Sequence, residues 1–188
     1  KDYKKSHTAE QTLTELTRRD EQELIYFDSV LESISRSSTK AEISEIREEL
    51  TAGGYLKTPA TKPKKTQVPV LREYKSAEGY RIIVGKNNRQ NDYITTTLAA
   101  KNDLWFHTKN IPGSHVVVMC GGKEVSDETL IYAATLAAEN SGAAAGAQVP
   151  VDYTPVKFVK KPNGAKPGMV IYTTNKTLYV TPNNGGKL

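Results

Sequence analysis

The run Gly85-Lys86-Asn87-Asn88-Arg89-Gln90-Asn91-Asp92 is an unbroken series of polar side chains behind one glycine. It follows the strand-like Tyr80-Arg81-Ile82-Ile83-Val84. It precedes a predicted short helix over 93–101, with Asn91 or Asp92 as N-cap. The free backbone N–H groups of a helix start favour anions. Lys86 and Arg89 add charge, while Asn87, Asn88 and Gln90 can donate and accept hydrogen bonds to base edges and ribose hydroxyls. With Asn91, these six residues form the first candidate RNA contact, on a loop read as exposed. The Gly-Lys-Ser/Thr ending of a phosphate-binding Walker loop is absent. The plainer alternative is a turn rich in Asn because Asn tolerates positive φ.

A second group lies in Trp105-Phe106-His107-Thr108-Lys109 and Gly113-Ser114-His115. Strand alternation puts Trp105, His107 and Lys109 on one face and Leu104, Phe106 and Thr108 on the other. The second face reads as core. The first, with Ser114 and His115, reads as a surface for base stacking and phosphate contact. His107, His115 and Cys120 have no metal-motif spacing, and whether the histidines share a face depends on hairpin register. No Gly-x-Ser-x-Gly elbow supports a Ser/His triad. A hydrogen-bonded structural role is the plain alternative for each histidine. The third group is the lysine-rich turn at 157–168, from which Lys160, Lys161 and Lys166 are candidate phosphate contacts. A solvated hairpin tip is its alternative. No carboxylate pair, catalytic triad or metal motif stands out, so a binding protein is expected rather than an enzyme, with no cofactor and no metal.

Positioning these groups takes two kinds of element. Leu13, Leu16, Leu24, Phe27, Leu31 and Ile34 follow a heptad-like spacing interrupted by Asp20. They predict one continuous helix over 8–35 whose stripe needs a partner: an upstream helix, a second copy, or the following domain. Thr39 and Glu42 have the spacing of a capping box ahead of Ile43, Ile46 and Leu50. Residues 1–56 are thus read as a coiled-coil arm with a short helix, and 57–69 as an extended Lys/Pro linker. From 70 to 188 strand-like runs at 80–84, 104–108, 115–119, 151–160, 168–173 and 177–180 enclose two helices, the second capped by Ser126 and closed by Asn140-Ser141-Gly142. The fold expected is α+β, a mixed and mainly antiparallel sheet with two helices behind a helical arm.

Charge narrows the class of partner. Residues 1–56 hold 8 Lys/Arg against 12 Asp/Glu, whereas residues 57–188 hold 18 against 9. The basic excess belongs to the second part and points to an anionic partner, nucleic acid before membrane. No apolar run approaches the ~20 residues of a membrane span. A single cysteine forbids an internal disulfide and favours a reducing, cytoplasmic setting, with Cys120 read as a buried thiol. No signal peptide is visible, and the absence of an initiator Met suggests a start inside a longer protein.

Five ordered motifs, 84–92, Asp103-Leu104-Trp105-Phe106-His107, Ile111-Pro112-Gly113-Ser114-His115-Val116, Val149-Pro150-Val151-Asp152-Tyr153-Thr154 and 160–168, together resemble the NFACT-R domain. Ile46-Arg47-Glu48-Glu49-Leu50 and Gly54-Tyr55-Leu56-Lys57 resemble the end of that family's coiled-coil middle region. Its bacterial members are of the RqcH type, often labelled fibronectin-binding protein A-like. The resemblance implies a ribosome-associated quality-control factor that binds obstructed large ribosomal subunits with peptidyl-tRNA and recruits tRNA for alanine tailing of stalled nascent chains. The partners it implies are the large subunit, ribosomal RNA and tRNA, with no membrane. A fibronectin-binding adhesin or protein-interaction domain is the alternative. The chain departs from the family in the uncharged Ser141–Gln148 stretch, which weakens any RNA contact there.

Overall fold

The computed structural model describes residues 2–57 and 70–182. The expected linker, Lys57 apart, lies outside the described residues. Helix α1 runs unbroken from Asp2 to Ser35. Helix α2 spans Lys40–Ala52 and is held at its start by the predicted capping box. The Thr39 hydroxyl accepts from the Glu42 amide at 3.2 Å, and the Glu42 carboxylate accepts from the Ser38 and Thr39 amides. Such a cap stabilises a helix by about 1 kcal/mol.

The arm does not use its predicted seam to meet the domain. Leu13, Leu16, Leu24, Leu31 and Ile34 are exposed, three of them above 60%. A neighbouring stripe, Tyr26, Phe27 and Val30, packs with Ile46, Leu50, Tyr55 and Met169 in a cluster of its own. Phe27 alone belongs to both stripes.

The remainder is α+β, as expected. Strands β1 (Arg72–Lys75), β2 (Arg81–Val84), β3 (Leu104–Thr108), β4 (Val116–Val118), β5 (Val149–Pro155) and β8 (Lys176–Val180) form one sheet in the order β1-β2-β4-β3-β5-β8. Every pairing is antiparallel. A small hairpin of β6 (Val159–Lys160) and β7 (Ile171–Tyr172) stands apart from it. Helix α4 (Asp127–Glu139), with Ser126 as N-cap, packs its alanines against Ile82, Val84, Phe106, Val116 and Val118 on one face. Small side chains let the helix approach closely. On the other face Ile83, Trp105 and Val117 pack beneath Ile94, Val156 and Tyr172. Both faces are therefore covered, which corrects the reading of one β3 face as an open stacking surface.

The helix after the polar run starts earlier than predicted. Asn87, not Asn91 or Asp92, is the N-cap, its side chain accepting from the Gln90 amide at 2.9 Å. Helix α3 occupies Asn88–Tyr93 and runs into a π turn at Ile94–Leu98, closed by an Ala99-to-Ile94 backbone bond. That wide turn buries Ile94 and Thr95.

Candidate nucleic-acid interface

The polar run proves to be the joint between arm and domain. Glu42, Glu45 and Glu49 are spaced three and four residues apart on α2, and Glu48 flanks them, so the four share one broad face. Each receives a donor from the loop. Lys86 Nζ reaches Glu42 at 2.6 Å; Asn87 Nδ2 and Gln90 Nε2 both donate to Glu45, at 2.7 and 2.8 Å. Arg89 pairs with Glu48 at 2.9 Å. Asn88 Nδ2 donates to Ser29 at 2.9 Å and to Glu49 at 3.2 Å, where Tyr26 also donates. Asn91 turns the other way, accepting from the His115 amide at 3.0 Å and donating to the Gly113 carbonyl. Gly85 is required there, since a Cβ would stand 2.2 Å from Asn91 Oδ1.

Asn87, Asn88, Gln90 and Asn91 are consequently buried, contrary to the expectation of an exposed loop. Their donors and acceptors are engaged by the protein, and in this conformation they present nothing to RNA. Lys86 and Arg89 are partly exposed but neutralised. Ser114 is also fully buried; it donates to the Gly85 carbonyl and accepts from Arg36 Nη1 of the arm at 2.9 Å.

The aromatic group is interior as well. Trp105 is 0% exposed. Its ring lies parallel to His107 at 5.7 Å, edge-on to His115 at 5.1 Å and tilted against Tyr172 at 4.9 Å. The β3–β4 register, Phe106 opposite Val116, puts His107 and His115 on the same face. Burial holds His107 down to about 4 and His115 well below the usual imidazole range. Both are neutral at physiological pH and add no positive charge. Among the described residues no group of three or more His, Cys, Asp or Glu is placed to hold a metal ion. Cys120 is a buried free thiol.

The lysine turn divides. Lys161 pairs with Asp92, whose other oxygen accepts from the Gly168 amide at 2.9 Å. Lys166 reaches across to the arm, donating to Tyr55 at 2.5 Å and lying over the Tyr55 and Tyr26 rings at 4.7 and 5.6 Å. Of the basic residues singled out from sequence, Lys109 and Lys160 remain exposed and without an ion pair among the described residues.

The joint has an acid-sensitive element. Glu42 is buried, yet the Lys86 ammonium and the Ser38 and Thr39 amides outweigh that burial and lower its carboxyl from 4.5 to about 2. A depressed folded pKa contributes stability that is complete above the unfolded value, near 4.5, and lost as pH falls toward 2. Denaturant melts of wild type and Glu42→Gln are expected to differ most above pH 5 and to converge toward pH 2.

Residues 70–174 match the family model described as NFACT protein RNA binding domain, and residues 1–69 match NFACT N-terminal and middle domains. The chain is 48% identical to "Rqc2 homolog RqcH" of Bacillus subtilis (strain 168), covering 96% of this chain and 32% of that protein. It is 45% identical to the protein so named in Streptococcus suis (strain 05ZYH33), covering 97% and 33%. It thus spans about a third of the length of these curated relatives. The solved C-terminal part of the fibronectin/fibrinogen-binding protein from Streptococcus suis superposes with a TM-score of 0.89 at 44% identity, covering 97% of this chain and 73% of that one. The fold, the arm and the near-complete coverage agree: the chain belongs to the NFACT family, among its RqcH-type members.

Proposed function

We propose that the chain is an RNA-binding part of a ribosome-associated quality-control factor, acting by binding and not by catalysis. The observation that carries this reading is the match of 70–174 to an RNA-binding domain family. The charge distribution supports it. The glutamates of α2 are engaged at the joint, while the domain, residues 70–188, keeps exposed lysines over a basic excess of 14 Lys/Arg against 9 Asp/Glu. By its likeness to the RqcH relatives, the whole protein binds obstructed large ribosomal subunits with peptidyl-tRNA in the cytoplasm. It recruits tRNA there and supports alanine tailing of the stalled chain. The exposed leucine stripe of α1 takes an antiparallel helix of the parent protein, or a second copy, as its coiled-coil partner. Each Leu so covered contributes roughly 1.5–3 kcal/mol.

A second reading, a fibronectin-binding module, is favoured by the name of the solved streptococcal relative. Parallel titrations of the chain with a tRNA transcript and with fibronectin separate the two. Saturable tRNA binding without fibronectin binding is expected; the reverse pattern overturns the RNA reading.

A further inference from the structure

The end of the sheet opposite the arm carries a cluster of free cations of its own. Val84, Val116 and Phe106 are paired at the end where Gly85–Asn91 holds the arm. Ile82, Val118 and Leu104 mark the other end. The loops leaving that far end converge on Asn102. The Lys157 amide donates to the Lys101 carbonyl at 2.9 Å, and Lys157 Nζ to Asn102 Oδ1 at 3.5 Å. The Cys120 thiol donates to the Asn102 carbonyl, and the Lys123 amide to the Cys120 carbonyl at 3.0 Å. Three exposed lysines, Lys101, Lys123 and Lys157, thus surround one exposed asparagine.

No carboxylate among the described residues neutralises these lysines. The one acid inside the cluster, Asp103, is buried and accepts from the Ala100 and Gly121 amides at 2.8 and 2.7 Å. Glu78, Glu124, Asp127 and Glu128 border the cluster at the start of α4. Glu78 accepts there from Ser126, and Asp127 and Glu128 complement the α4 N-terminus. Backbone shape adds to the charge. Gly121 and Gly122 follow each other at φ +60 and +86, both exposed. A Cβ on Gly122 would fall 3.0 Å from Asn102 Cβ, so these positions keep bare backbone beside the lysines.

We propose that this far end of the sheet, with Lys101, Lys123 and Lys157 around Asn102 and Gly121–Gly122, is a docking site for the phosphate backbone of RNA. The proposal deepens, and rests on, the RNA-binding reading above. Exposed, unpaired lysines suit a sequence-independent phosphate contact, because each phosphate they neutralise releases counterions. The one ring the cluster touches, Phe158, is half-buried beneath the Lys157 ammonium at 5.3 Å, and among the described residues no exposed aromatic joins the lysines, so the site tracks backbone and does not read bases. Its position also leaves the arm end of the domain free for whatever covers α1.

The test is tRNA affinity of the whole chain across a salt series, for wild type and for Lys101→Ala/Lys123→Ala/Lys157→Ala. The triple variant is expected to flatten the salt slope by about 2–3 and to weaken binding roughly 10–100-fold at low salt. Its melting temperature should stay at the wild-type value, since all three side chains are exposed. The corresponding triple arginine variant keeps the charge and should keep the slope. Removing three exposed lysines of the arm, Lys4, Lys5 and Lys40, should change the slope little. If wild type binds with a steep slope and the far-end variant retains it, the site is wrong while the RNA reading stands. An equal loss in the arm variant also overturns the site, because net charge alone then explains binding. If wild type shows no tRNA binding at any salt, both fall.

Discussion

Trp105→Ala is expected to destabilise the domain by about 3–5 kcal/mol, the range for emptying a buried aromatic site. The indole is fully enclosed between Ile83, Ile94, Val117 and Val156, with three further rings around it. Its Nε1 has no hydrogen-bond partner among the described residues, so the site holds the ring for packing. Trp105→Phe should cost less, because a smaller cavity remains and no donor is lost. Denaturant unfolding measures the stability, and tRNA titration of the remaining folded protein measures binding. A stacking residue would give the opposite result, weaker RNA binding at unchanged stability.

Asn88→Ala is expected to loosen the arm and cost about 1–3 kcal/mol, the penalty for leaving buried polar groups short of a partner. Its amide joins Ser29 of α1 to Glu49 of α2 from the start of α3, so one truncation removes a contact to each arm helix. The Glu49 carboxyl is already raised, chiefly by burial, and the donors Tyr26 and Asn88 lessen that rise. Without Asn88 it should rise further. Hydrogen exchange should then increase in α2 and in the second half of α1 while the sheet stays protected. Unchanged protection of α2 would show that the joint does not hold the arm.

These two outcomes bear on what could be read from sequence. Local signals carried well. The Thr39–Glu42 capping box, the Ser126 N-cap, β3 at Leu104–Thr108 and the antiparallel pairing of β3 with β4 all rest on short-range chemistry and appear in the structure. Strand β1, Arg72-Glu73-Tyr74-Lys75, has no apolar alternation because it is an exposed edge strand, and it escaped notice for that reason.

Burial of polar groups was the harder matter. A row of Asn, Gln, Lys and Arg looks the same whether it meets water, RNA or glutamates some 40 positions away. The clue was present: Glu42, Glu45, Glu48 and Glu49 share a helix face, and carboxylates buried on such a face, as Glu42 and Glu49 are, need matching donors. The β3 face misled for a similar reason. Alternation tells which residues point together, not whether a second layer covers them, and that layer comes from the Ile94–Leu98 turn and from Val156 and Tyr172. The lysines around Asn102 were missed because they are scattered at 101, 123 and 157, and only the sheet register unites them.

Electrostatic binding of RNA by the exposed lysines of the domain is the central claim. The direct measurement is the dissociation constant of the chain with a tRNA transcript from low to physiological salt, plotted as log affinity against log salt. Neutralising about four or five phosphates predicts a straight line with a slope of roughly −3 to −4. A flat line, or affinity that rises with salt, contradicts the account.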